Sequence, residues 1–99
     1  MPRVMFMISY SIRPDTRDQF LRIAGELKTL YASQGKAKYS LYEAKGKKGH
    51  FTEVFQSESL EDFDALEDNH DERTEALVQQ LQEFVDKGGM KYSTLVEAQ

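Results

Sequence analysis

The chain has 99 residues, 39% of them hydrophobic and 30% charged, with a formal net charge of −4. That length bounds it to one domain spanning 1–99, and the apolar share excludes a disordered chain. No apolar run approaches the roughly 20 residues a membrane-spanning helix needs, the lack of cysteine removes disulfides and thiolate chemistry, and the acidic balance argues against a nucleic-acid partner.

The opening Met1-Pro2-Arg3-Val4 lacks the long apolar centre of a signal peptide, so the expected location is cytoplasmic. Val4 to Ile12 reads as a central strand. Val4, Phe6, Ile8, Tyr10 and Ile12 share one face by the two-residue period, and Met5 and Met7 begin the other face with a second apolar stretch. Pro14 and Asp15 close it, and Asp15 stands as the capping acid of a helix expected from about Thr16 to Ser33. Phe20, Ile23, Ala24, Leu27, Leu30 and Tyr31 form its apolar stripe, and Gly35 its left-handed stop.

Lys38–Ala44 and Phe51–Gln56 carry the aromatic and branched residues of strands, with Lys45-Gly46-Lys47-Lys48-Gly49 as the hairpin turn between them. Ser57 or Ser59 caps a further helix striped by Leu60, Phe63 and Leu66. The pattern breaks over Asp68-Asn69-His70-Asp71 and restarts at Leu77, Val78, Leu81, Phe84 and Val85, which predicts a fresh cap and a longer helix ending before Gly88-Gly89. Met90 to Glu97 closes as a strand with Tyr92, Thr94 and Val96 on one face.

The order is β-α-β-β-α-β with the second helix split. With right-handed crossovers this makes an α+β, ferredoxin-like fold, a four-stranded antiparallel sheet with helices on one face. The strands are apolar on both faces and the helices shelter only one. The open sheet face therefore asks for a partner, and a second copy is the simplest one.

Here the chain resembles a known group. Its element order, the strand segment Glu53-Val54-Phe55-Gln56-Ser57 and the stretch from Ser59-Leu60-Glu61-Asp62-Phe63 to His70 are similar to an antibiotic biosynthesis monooxygenase domain of the dimeric α/β-barrel superfamily. The likeness runs from about Val4 to Val96. It implies a homodimeric α/β barrel built sheet against sheet through the open face, with a pocket between sheet and helices in each protomer. It also implies a cofactor-independent monooxygenase acting on an aromatic or quinone-like small molecule, with no cofactor and no metal. The chain has no Trp, its first strand offers Ser9 and Ser11 where the group's catalytic pattern has Asn, and Phe55 cannot donate a hydrogen bond as an indole can. Those departures motivate one alternative, a non-catalytic ligand-binding or interaction module of the same fold, and His70 motivates a second, a haem-binding protein.

The residues themselves define the candidate site. Glu53 and Phe55 alternate onto one face of the third strand, and a carboxylate in an aromatic space with Tyr39 and Phe51 suits a general base. Pairing of Glu53 with a lysine or arginine, or a dimer contact, is the plainer reading. His70, at the helix break, serves as an acid/base group or axial ligand, or else packs the helix junction or lies in solvent. Tyr10 and Tyr39, with Phe51 and Phe55, are the candidate ligand-binding residues, although tyrosines are more often amphipathic core groups.

Glu58–Glu75 holds nine acids and one Arg, and Lys36–Lys48 holds five lysines and one acid. These read as a solvated helix face and a soluble hairpin tip, with docking between unlike patches as the alternative. His50 and His70 stand far apart with no metal-binding spacing, and no nucleophile elbow or phosphate loop is present.

Overall fold

The computed structural model describes residues 2–35, 37–68 and 71–98. Strand β1 (Val4–Ser11) is followed by a short 3-10 turn (Pro14–Thr16) and helix α1 (Arg17–Gln34). Strands β2 (Lys38–Glu43) and β3 (His50–Ser57), helices α2 (Leu60–Asp68) and α3 (Glu72–Gln82), and strand β4 (Lys91–Val96) complete the chain. The sheet order is β2-β3-β1-β4 with every neighbouring pair antiparallel, which is the ferredoxin-like arrangement expected from the element order.

The alternation read from the sequence sorts the sheet into two faces. On the helix side, register places Leu41, Glu53, Ile8 and Tyr92 in one row across the four strands. The next row towards the start of β1 is Tyr39, Phe55, Phe6 and Thr94. Helix α1 lays Phe20, Ile23, Ala24, Leu27 and Tyr31 on this face, all buried, with Phe20 against Phe51 at a ring separation of 4.6 Å. Burying a side chain of that size contributes about 1.5–3 kcal/mol, so the stripe at i, i+3, i+4 is what holds helix to sheet.

The open face carries Met5, Met7 and Val54, all half-buried, and Leu95, which is 49% exposed. Its other end is polar, where Ser9 Oγ meets Thr52 Oγ1 at 2.8 Å and Ser11 Oγ meets His50 Nδ1 at 2.6 Å. Strand β4 is an edge strand exposed along its whole length.

Helix ends follow local chemistry, with two departures from expectation. Gly35 stops α1 at φ 68°, its N–H donating to the Tyr31 carbonyl. Ser59, not Ser57, caps α2, its Oγ accepting from the Asp62 N–H at 3.1 Å. Asp71 caps α3 by accepting from the Thr74 N–H at 2.7 Å. Asp15 does not cap α1. Pro14 supplies a preset φ that starts a 3-10 turn, so Asp15 lies inside that turn, and Thr16 Oγ1 donates back to the Arg13 carbonyl. Helix α3 also ends at Gln82 instead of running to the glycines. Val85 forms a bridge with Ile12, the Arg13 N–H donates to the Phe84 carbonyl, and the Asp86 N–H donates to the Ser11 carbonyl. Phe84 and Val85 thus extend the end of β1 and satisfy backbone groups that a longer helix would leave open.

Candidate functional site

A cavity of about 350 Å³ lies between the sheet and the three helices. Three of the four strands and all three helices contribute to it. Phe6 and Ile8 of β1 and Glu53 and Phe55 of β3 form the floor, while Leu27 and Tyr31 of α1, Phe63 and Leu66 of α2, and Val78, Leu81 and Gln82 of α3 form the walls. Met90 and Tyr92 complete the lining at the β4 edge. Tyr92 is 61% exposed, which puts the mouth of the cavity at that edge. Its ring stacks on Phe6 at 6.1 Å, and Phe6 in turn contacts Phe55 and Phe63. The lining is thus an almost continuous aromatic and aliphatic wall interrupted by one acid.

That acid is Glu53, only 4% exposed. Its position follows from strand parity: β3 buries Phe51, Glu53, Phe55 and Ser57 and turns the intervening residues to the open face. Directly opposite it in register stand Ile8 and Leu41, neither able to hydrogen-bond through its side chain. Its partners are the diagonal neighbours on the two flanking strands, within reach of long side chains. Tyr39 Oη donates to Glu53 Oε1 at 2.6 Å. The Tyr10 hydroxyl, on the other side, is buried close enough to feel the Glu53 charge but has no hydrogen bond of good geometry.

The electrostatics follow from this packing. Burial out of water raises the Glu53 carboxyl above the ordinary glutamate range, and the hydrogen bond from Tyr39 opposes that rise by favouring the charged form. Burial likewise pushes Tyr39 and Tyr10 far upwards, reinforced by the nearby Glu53, and lifts Tyr31 to about 12. At neutral pH these phenols are protonated donors around a carboxyl group that is a stronger base than a solvated glutamate.

The structure brings together some of the residues singled out from the sequence and separates others. Glu53 and Phe55 line the cavity, and Tyr39 stands behind Glu53 as its donor while packing edge-on to Phe55 at 5.0 Å. Phe51 and Tyr10 lie deeper, each against Phe20, and are not among the lining residues. His70 lies outside the described residues. Tyr31, Phe63, Leu66, Val78 and Leu81 are cavity residues legible in the sequence only as helix stripes. Gln82 and Met90 carry no such signal, because their place in the wall depends on where α3 stops. Among the described residues no cluster of three His, Asp or Glu side chains could hold a metal ion, and no helix is long and apolar enough to cross a membrane.

No protein-family model matches the chain, and no curated protein matches it in sequence. Solved structures do match it over nearly its full length. A conserved protein from Methanosarcina mazei Go1 superposes with a TM-score of 0.86 at 12% identity, over 99% of this chain and 95% of the other. A variant of SnoaB, a cofactor-independent oxygenase from Streptomyces nogalater, superposes with a TM-score of 0.79 at 10% identity, over 98% and 94%. A third structure, an antibiotic biosynthesis monooxygenase, gives a TM-score of 0.74 at 15% identity, over 97% of each chain. At such identities the likeness is one of fold, and the chain has an antibiotic biosynthesis monooxygenase-like fold.

Proposed function

We propose that this chain is a cofactor-independent monooxygenase whose cavity takes an aromatic or quinone-like small molecule, with Glu53 as general base. The observation that carries the reading is the Glu53 carboxyl group, buried in an apolar cavity of about 350 Å³ and held by the Tyr39 hydroxyl at 2.6 Å. A base made stronger by burial and kept oriented by a phenol suits removal of a weakly acidic proton. The fold's likeness to a cofactor-independent oxygenase supports the choice of reaction class.

The step balances without a reductant. Glu53 takes a proton from an activated C–H of the substrate, and the carbanion gives its electrons to dioxygen as a C–O bond forms. The resulting peroxide anion takes the proton back from Glu53 and becomes a hydroperoxide. Where the attacked carbon began as a CH2 group, loss of water then leaves a carbonyl, with one oxygen atom in the product and the other in water. Tyr39 acts as a positioning residue that holds the carboxylate towards the cavity. Tyr31, Phe55 and Phe63 would pack against the flat faces of the ligand.

The same reading includes a homodimer. The half-buried Met5, Met7 and Val54 with the exposed Leu95 form an apolar area on the sheet face that the helices leave uncovered, and a second copy supplies a matching surface. The test is oxygen uptake with a panel of hydroxylated naphthacenes and quinols. Wild type should consume oxygen well above background on at least one member, and Glu53→Gln should fall by about 100-fold or more, the scale of a lost general base. Equal rates for the two proteins would remove Glu53 from the mechanism.

A further inference from the structure

The charge of the cavity is one-sided. Glu53 is its buried acid, and among the described residues no Lys, Arg or His lines it. The ion pairs found among the described residues lie elsewhere, Arg3 with Glu97 and Arg17 with Glu43, and the polar side chains acting on Glu53 are the phenols of Tyr39 and Tyr10. A buried carboxylate without a positive partner is costly, and a positive charge brought beside it offsets that cost. Around Glu53 the lining presents the rings of Phe6, Tyr31, Phe55, Phe63 and Tyr92. Aromatic faces attract cations through their ring quadrupole, and a cage of rings closed by one acid is the combination that binds organic ammonium groups.

The surroundings point the same way. Helices α2 and α3, which wall the cavity, draw on the segment Glu58–Glu75 with its nine acids and single Arg. The whole chain carries a net charge of −4, which at long range attracts cations and repels anions.

We infer that the cavity selects small ligands with an apolar or aromatic body carrying one protonated amine, with Glu53 as the counter-ion and the surrounding rings as the cation-binding faces. This selectivity goes beyond the oxygenase reading and does not rest on it, since it concerns only which charge the cavity admits. The titratable groups facing Glu53 are Tyr39 from β2, Tyr10 from β1 and Tyr31 from α1, each held in its neutral phenol form by burial, so none of them sets a charge beside the carboxyl group.

The test uses three probes of nearly equal shape, naphthylmethylamine, naphthylmethanol and naphthoate, titrated into the full chain by isothermal calorimetry at neutral pH. The amine should bind at least about tenfold tighter than the alcohol, and naphthoate more weakly than either. Glu53→Gln should reduce the amine to the level of the alcohol, and a far-UV circular dichroism spectrum unchanged from wild type reports that the variant is folded. The amine's advantage in wild type should shrink as the solution is acidified and Glu53 takes up a proton. Equal affinity for amine and alcohol in wild type would overturn the inference. So would preference for naphthoate, an amine preference that survives Glu53→Gln, or no binding of any probe. None of these measurements involves oxygen, so their failure is distinct from failure of the oxygenase reading.

Discussion

Tyr39→Phe isolates the contact on which the site depends. The change removes one oxygen atom and leaves the ring, with its contacts to Tyr31 at 5.3 Å and Phe55 at 5.0 Å, in place. What is lost is the 2.6 Å hydrogen bond to Glu53 Oε1, between two side chains that are both buried. A hydrogen bond to a charged group is worth about 1.5–3 kcal/mol, and the same bond to a neutral acid about 0.5–1.5. The variant should therefore lose about 2 kcal/mol of stability at a pH where Glu53 is ionised and about 1 kcal/mol where it is protonated. For a chain of this length the larger loss corresponds to a fall in Tm of roughly 10 °C. The difference between the two losses raises the Glu53 titration midpoint above its already elevated wild-type position, because the bond that favours the carboxylate is gone. A carbon-13 label on glutamate side chains, followed by NMR across a pH series in both proteins, reads that midpoint directly. A midpoint that stayed in place or fell would refute the assignment of Tyr39 as the donor that holds the carboxylate.

Three further outcomes follow from the same physical chemistry. Glu53 has a folded-state pKa raised above the ordinary 4.5, so its contribution is most favourable below that pH and is lost as pH rises through the folded-state midpoint. Glu53→Gln should therefore gain stability over wild type on going from acid to alkaline buffer, by about 1.4 kcal/mol for each tenfold displacement of the ionisation equilibrium, as urea midpoints would record. Glu43 has the opposite sign. The Arg17 guanidinium at 2.7 Å and the Gly49 N–H at 2.8 Å hold it at about 2, so its contribution is present above 4.5 and lost as pH falls towards 2. Glu43→Gln should flatten that acid limb of the stability profile and leave the alkaline side unchanged. On the open sheet face, Met7→Lys should shift the sedimenting species from dimer to monomer at micromolar concentration while the far-UV circular dichroism is kept; a wild-type chain that already sediments as a monomer would refute the packing of two copies through this face.

Much of the architecture is carried by local patterns. The alternation in Val4–Ile12 and the i, i+3, i+4 stripe from Phe20 to Tyr31 each follow from one element's own period, and each is found where expected. The split of the second helix is equally local, because Asp71 caps α3 with its own side chain. The faces of β3 follow from parity, so the inward direction of Glu53 is legible once the helices are assigned to one side.

Other features depend on what meets what. The end of α3 is hidden from its own segment because Phe84 and Val85 continue the helical stripe, while the bonds that terminate the helix come from Ile12, Arg13 and Ser11, far away in sequence. Tyr10 and Tyr39 are equivalent in sequence, both aromatic residues of strands flanking Glu53. Only the packed geometry makes Tyr39 the donor and leaves Tyr10 without a good bond. The cavity itself is written in no segment, since its wall is assembled from six elements and the approach to β4. Periodicity along a chain determines which way each side chain faces, because backbone geometry sets it residue by residue. Volume, enclosure and the partner of a buried charge are properties of the space between elements, and only tertiary packing decides them.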